Sequence, residues 1–270
     1  MPPLALAGIS IALWASLAYL STLVTGVPPF LVVGATLVIG SVPGLVRARA
    51  FTRDPRALAL GVYGLFGYHF CLFMALRTAP PVEANLINYL WPVLIVAFSP
   101  PLHWNHGAGA LLAFTGAALI ATGGDFSHLT FQPGLLFALA AALIWSSYSV
   151  LTRRLRGLSS ATVSQFCLIS GALALATHAA IEPPAALMTR DIVVLVALGI
   201  GPMGAAFYCW DAALKRGDPR RIGALSYLTP LLSTACLVLV GGKPFTSVAA
   251  IAMALIVAGA IVGGLVLRSR

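Results

Sequence analysis

The sequence predicts an all-α integral membrane protein whose ten transmembrane helices form two five-helix repeats of inverted topology. Three observations predict it. Of 270 residues, 60% are hydrophobic and only 9% are charged, whereas a soluble domain has about 45–50% apolar and about 25% charged residues. The apolar residues fall in repeated runs of about twenty, the length a helix needs to cross roughly 30 Å of hydrocarbon. Short segments of alternating polarity, the mark of a membrane β-barrel, do not occur. Lastly, the basic residues crowd into alternate connections between the runs.

In order, the spans run over 4–24, 27–46, 57–76, 82–99, 107–124, 133–152, 161–181, 191–214, 221–240 and 246–267. They fill the chain and leave no extramembrane domain. Met1-Pro2-Pro3 has no basic n-region and the first run is a full span, so it reads as a retained helix, not a cleaved signal. The loop after the second span has Arg47, Arg49, Arg53 and Arg56. That after the sixth has Arg153, Arg154 and Arg156, and that after the eighth has Lys215, Arg216, Arg220 and Arg221. Arg268 and Arg270 bring this side to thirteen, against Arg77, Arg190 and Lys243 on the other. By the positive-inside rule both termini face the cytoplasm, with the chain in the inner (plasma) membrane. The net charge of +9 thus reads as orientation, and no nucleic-acid partner is expected. One loop departs from the pattern: 100–106 should face the cytoplasm yet has no Lys or Arg.

The chain repeats itself. Residues 63–94 align with 201–232 without a gap: Cys71 matches Cys209, Ala75-Leu76-Arg77 matches Ala213-Leu214-Lys215, Pro81 matches Pro219, and Tyr89-Leu90-x-Pro92 matches Tyr227-Leu228-x-Pro230. Leu13-Trp14-Ala15-Ser16 resembles Ile144-Trp145-Ser146-Ser147 at a slightly different offset. The halves are therefore 1–124 and 125–270, and five spans each makes the second enter the membrane with opposite polarity. Loop charge agrees, since 77–82 is nearly neutral and its counterpart 215–220 strongly basic. Inverted repeats are a transporter signature, because two such halves can rock about a midplane site.

The five-plus-five arrangement, the Trp-x-Ser element and the Tyr-Leu-x-Pro element resemble the drug/metabolite transporter superfamily, EamA type. Gly67-Tyr68-His69-Phe70 and the stretch Ala79-Pro80-Pro81-Val82-Glu83-Ala84-Asn85-Leu86-Ile87-Asn88-Tyr89-Leu90-Trp91-Pro92 look like the YddG-type aromatic amino acid exporters. There is one departure. Many members carry a Gly-Glu pair before spans 5 and 10; here Gly242-Lys243 stands in the second half and no acid in the first. No role of that glutamate transfers.

Polar side chains within a bilayer face the bundle interior or a cavity. Asn85, Asn88, Tyr89 and Pro92 fall at i, i+3, i+4 and i+7, one helical stripe, with Trp91 at its border. Such asparagines also bond neighbouring helices as plain interhelical glue. Pro92 and, by the repeat, Pro230 free the carbonyls of Asn88 and Ser226 and mark hinges or kinks. Trp14, Trp91 and Trp145 sit near span centres, too deep for the interfacial belt that accounts for Trp104 and Trp210. Tyr68-His69 is either a packed pair or a donor for a carboxylate. The candidate substrate-binding set is Tyr68, His69, Asn88, Tyr89, Trp91, Trp145, Ser146 and Tyr227, the last two entering through the matched elements.

Acids argue by absence. Asp211 is read as an i,i+4 partner of Lys215 at a span end, and Glu83 as a helix-start residue. That leaves no midplane carboxylate for a proton relay, and His69 alone in its place. The four cysteines, Cys71, Cys167, Cys209 and Cys236, lie in apolar runs without metal-ligand spacing. HExxH, GxSxG and paired carboxylates are missing, so an enzyme, a metal, a cofactor and catalytic residues are not expected. Gly40-x-x-x-Gly44 and Gly259-x-x-x-Gly263 read as packing within one chain, with a dimer left open. The reading is a monomeric exporter of aromatic and other apolar amino acids working by alternating access, driven by the substrate gradient. Efflux of drugs or metabolites is the second reading.

Overall fold

The computed structural model describes residues 1–24, 26–46, 49, 51–242 and 245–264. Arg47, Lys243, Arg268 and Arg270 of the loop count lie outside them. The described residues form α1 (Pro3–Ser21), α2 (Pro29–Leu45), α3 (Pro55–Val62), α4 (Tyr68–Thr78), α5 (Pro81–Asn88), α6 (Trp91–Ala97) and α7 (Trp104–Thr122). There follow α8 (Leu135–Leu151), α9 (Thr162–Ile181), α10 (Thr189–Ile200), α11 (Ala206–Arg216), α12 (Pro219–Leu225), α13 (Leu228–Leu239) and α14 (Ser247–Gly264). No strand occurs among the described residues.

Proline and aspartate set several starts. Helices α1, α2, α3, α5 and α12 each open on proline, whose missing N–H has no partner to lose in a first turn. Asp54 and Asp218 cap α3 and α12, each accepting the backbone N–H two residues on at 2.9 Å.

Among the described residues, six helical runs are long and apolar enough to cross a membrane: Pro3–Ser21, Pro55–Thr78, Leu135–Leu155, Thr162–Ile181, Thr189–Arg216 and Pro219–Leu239. Pro29–Leu45, Pro81–Ala97 and Ser247–Gly263 are shorter apolar runs. Several of these runs are interrupted. Single π turns, Tyr63–Gly67 and Gly201–Ala205, join α3 to α4 and α10 to α11. They start at residues 63 and 201 and end at 67 and 205, in register with the alignment of 63–94 on 201–232. The chain breaks at Tyr89–Leu90 before α6 and at Ser226–Tyr227 before α13. Pro92 and Pro230 fall in the first turn of the restarted helices, where proline is tolerated.

Helix α2 packs along α9, and α7 along α14. At the second seam a Cβ on Gly109 would stand 2.6 Å from the Gly259 carbonyl oxygen, and one on Gly259 2.5 Å from that of Gly109. Only glycine permits this approach, and both partners belong to one chain. Around the middle, α1 meets α11 and α13, while α8 meets α4 and α6. Large apolar side chains such as Leu136 on α8, Val193 on α10 and Ile261 on α14 are exposed; a soluble protein would not present them so widely, whereas lipid accepts them.

Charge divides between the two ends. At one end Thr52 bonds Gln165, Asp211 bonds Ser160 and Lys215 bonds the Leu158 carbonyl. At the other, Glu182 accepts from the Phe30 N–H at 3.1 Å and pairs with Arg77 at 3.8 Å. Glu83 does more than start its helix: it is buried and accepts the Thr130 N–H at 3.2 Å. Labelling tests which end is outside. With the four native cysteines replaced, Leu129→Cys is expected to react with an impermeant maleimide added to intact cells, and Leu158→Cys only after lysis. The opposite pattern would invert the topology.

Candidate functional site

Four tryptophans from four helices meet in the middle of the bundle. Trp14 (α1), Trp91 (α6), Trp145 (α8) and Trp210 (α11) are mutual neighbours, every pair with ring centroids between 5.0 Å and 6.4 Å. Phe207 joins Trp14 at 6.0 Å and Trp145 at 5.8 Å. Tyr68 lies 5.2 Å from Trp145 and 5.0 Å from the His69 ring. These separations suit edge-to-face and offset contacts.

The local structure explains the convergence. The π turn Gly201–Ala205 carries Pro202, whose carbonyl accepts the Trp14 indole N–H at 3.0 Å. Ser10, one turn earlier on α1, donates to the Ala206 carbonyl at 2.8 Å. Together they lash α1 to the start of α11, where Phe207 and Trp210 share a face at i and i+3. Trp210 donates its own N–H to Ser149 Oγ at 3.1 Å. Among the described residues, neither the Trp91 nor the Trp145 indole N–H has a partner.

Beside the rings lies a polar group. Asn88 ends α5, immediately before the break; its amide nitrogen donates to the Tyr68 hydroxyl at 3.4 Å, while its Oδ1 is buried without a partner. His69 is buried, its Nδ1–H donating to the Leu65 carbonyl of the other π turn at 2.6 Å.

Of the predicted residues, Tyr68, His69, Asn88, Trp91 and Trp145 are thus brought together. Trp91 is 7% exposed and Trp145 3%, so the rings fill the space between them. Tyr89 and Tyr227 belong to a separate apolar group with Val96, Ala113 and Ile256. Tyr227 is fully buried there and donates its hydroxyl to the Tyr89 carbonyl at 3.2 Å, tying one helix break to the other. Ser146 turns back on its own helix, to the Ala142 carbonyl at 2.8 Å.

Trp210 corrects the sequence reading. Placed by position in the interfacial belt, it is only 1% exposed and at the heart of the ring cluster; Trp104, by contrast, is exposed as a belt residue should be. The reason is that α11 restarts after the π turn and points this face inward. Trp14, noted for its central position, was not in the candidate set, and Phe207 was not singled out. The match of Trp14 to Trp145 carried the signal for the first. Asp211, the next residue after Trp210, is buried too: its Oδ2 takes Lys215 Nζ and Ser160 Oγ, each at 2.9 Å, and Oδ1 has no partner.

Apolar helices broken and restarted around a buried aromatic centre are the build of a multi-pass membrane transporter. The model of the EamA-like transporter family matches residues 132–264. The chain is 43% identical to the aromatic amino acid exporter YddG of Ancylobacter novellus, covering 96% of each. It is 28% identical to the exporter of the same name from Salmonella typhimurium, covering 88% of each. A solved crystal structure superposes with a TM-score of 0.91 at 40% identity, over 97% of this chain and 96% of that one. The chain belongs to the EamA-like transporter family.

Proposed function

We propose that this protein exports aromatic and other apolar amino acids by alternating access, with the substrate held against the tryptophan cluster. The meeting of four tryptophans with Tyr68, His69 and Asn88 carries this reading. Indole faces attract an ammonium and stack on an aromatic side chain. The unpartnered Asn88 Oδ1 is an acceptor for the same ammonium. The free indole N–H groups of Trp91 and Trp145 are donors for the carboxylate. The relatives named as aromatic amino acid exporters support the substrate class.

The ten spans form two inverted repeats, 1–124 and 125–270, with both termini in the cytoplasm. Three features support the repeat: the π turns fall at equivalent positions, the helix breaks fall within a residue of equivalence, and packing partners exchange between halves; the orientation rests on the loop charges. Thus α2 on α9 and α7 on α14 pair equivalent helices, while α1 on α11 corresponds to α8 on α4. Because the rings fill the centre, substrate must part them, and the broken helices at Pro92 and Pro230 supply the hinges. Tyr89 and Tyr227 act here by holding those helices, not by touching substrate, and the Ser146 hydroxyl is taken up by its own helix. Asp211 is held by Lys215 and His69 by Leu65, so export runs down the substrate gradient, binding alone biasing the two states.

The test is counterflow into liposomes. Labelled phenylalanine is expected to exchange against unlabelled phenylalanine, and not against threonine, a nucleoside or a cationic dye. Exchange with the dye alone would replace the amino acid reading by drug efflux. With phenylalanine equal on both sides, a pH step is expected to drive no net accumulation; sustained accumulation would make the protein proton-coupled.

A further inference from the structure

At the arginine-rich end three links surround a polar concavity of about 250 Å³. Ser99 and Pro100 follow α6, Arg153 and Arg156 follow α8, and Arg216, Asp218 and Arg220 lie at the passage from α11 to α12. Four guanidinium groups thus converge on a hollow with one carboxylate. That carboxylate is already taken. Arg220 donates to it from Nε at 3.0 Å and from Nη2 at 2.8 Å, and its backbone N–H adds the capping bond. Burial works against the Asp218 charge, but the bonds from Arg220 outweigh it and hold the carboxyl below its ordinary pKa. It stays ionised at neutral pH and stays with Arg220.

Arg220 also reaches across to the Pro101 carbonyl. The loop 100–106 lacks basic residues of its own, and here it borrows one from the other half of the chain. Arg153, Arg156 and Arg216 remain, and among the described residues no carboxylate lies within ion-pair distance of them. Orientation of the chain needs basic residues at this end but does not need them to share a hollow. Arg49, Arg53 and Arg56 serve orientation without lining it. Like charges gathered around a concavity repel each other unless an anion sits between them.

We propose that this concavity binds a phosphate group. Guanidinium forks match phosphate oxygens and give short, charge-assisted hydrogen bonds. The volume lies below the roughly 300–1,000 Å³ of sites for drug-sized ligands; it suits a compact phosphate headgroup. Two sources share that chemistry: the phosphodiester of an anionic phospholipid and a soluble phosphate. Basic pockets between helices at the headgroup level take anionic lipid, so the lipid is the occupant on which the proposal is tested first.

The experiment is native mass spectrometry on the whole purified protein, delipidated and then supplied with phosphatidylglycerol, phosphatidylcholine or inorganic phosphate. The unmodified chain is expected to retain phosphatidylglycerol about ten-fold or more over phosphatidylcholine. The triple variant R153Q/R156Q/R216Q is expected to lose that preference, and R49Q/R53Q/R56Q, with the same charge removed elsewhere, to keep it. Binding of inorganic phosphate that competes with phosphatidylglycerol and is lost in the first variant would support the site with the soluble source. If the first variant does not fold, the selectivity and competition of the unmodified chain decide alone. No preference over phosphatidylcholine together with no phosphate binding, or equal loss in both triple variants, overturns the proposal.

Discussion

Trp145→Ala is expected to reduce phenylalanine counterflow by at least about ten-fold, which corresponds to roughly 1.4 kcal/mol. Trp145 touches Trp14, Trp91, Trp210, Phe207, Tyr68 and Tyr148, and an aromatic pair contributes about 0.5–1.5 kcal/mol beyond burial. Losing two such contacts with a bound side chain already accounts for the effect. Truncating a buried tryptophan also costs about 3–5 kcal/mol of stability, so transport has to be normalised to folded, monodisperse protein. Trp145→Phe separates the roles: it keeps a ring in the cluster and removes the free indole N–H. It is expected to fold, and to bind phenylalanine more weakly than the unmodified chain. If both variants exchange phenylalanine at the normal rate, the substrate does not bind at the ring cluster.

Lys215→Met is expected to lower stability by about 3–5 kcal/mol, the usual cost of breaking a buried ion pair from one side. The Lys215 and Asp211 side chains are 7% and 1% exposed. With the ammonium gone, Asp211 keeps only Ser160, its Oδ1 having no partner at the outset. The double variant Asp211→Asn/Lys215→Met removes the stranded charge and is expected to recover most of the loss. Thermal unfolding of the detergent-solubilised protein reads both. A Lys215→Met midpoint equal to the unmodified one would mean that Asp211 finds water instead. The pair also has a positional consequence: through Ser160 and the Leu158 carbonyl it fastens α11, with Phe207 and Trp210 upon it, to the link before α9.

Much of the architecture was legible as a one-dimensional pattern. Apolar runs of bilayer length, a gapless internal match and prolines at corresponding positions anticipated the helical stretches and the paired breaks, and the three tryptophans set apart by position, Trp14, Trp91 and Trp145, are neighbours in the structure. Those signals survive because bilayer thickness sets helix length and because a proline cannot donate to the ladder in any context. Tyr227 and Ser146 were a different matter. The match of Tyr227 to Tyr89 and the place of Ser146 beside Trp145 in a matched element suggested a shared role, but matched stretches need not present equivalent side chains to one centre. Trp91 has Thr229 as its counterpart and Trp210 has Leu72, so the internal match reaches Trp14 and Trp145 but not the other two tryptophans of the cluster.

By itself the sequence determined the class of protein, the approximate ends of its helical stretches, the internal match of 63–94 with 201–232 and the placing of charge near the helix ends. Only the tertiary structure decided which face each helix turns inward: that Trp210 joins the cluster and is not in the belt, that Asp211 is buried with Lys215, that Tyr227 ties two breaks together, and that four arginines from two links share one hollow. The physical reason lies in the solvent. A helix at the surface of a soluble protein shows its buried face as an apolar stripe, whereas α1 or α14 is apolar all round, because lipid tails and protein interior are alike to its side chains. Rotation about such an axis is chosen by close packing, as at Gly109 and Gly259, and by a few long-range hydrogen bonds, as from Trp14 to Pro202. These contacts join residues far apart in the chain, and they exist only once the helices have met.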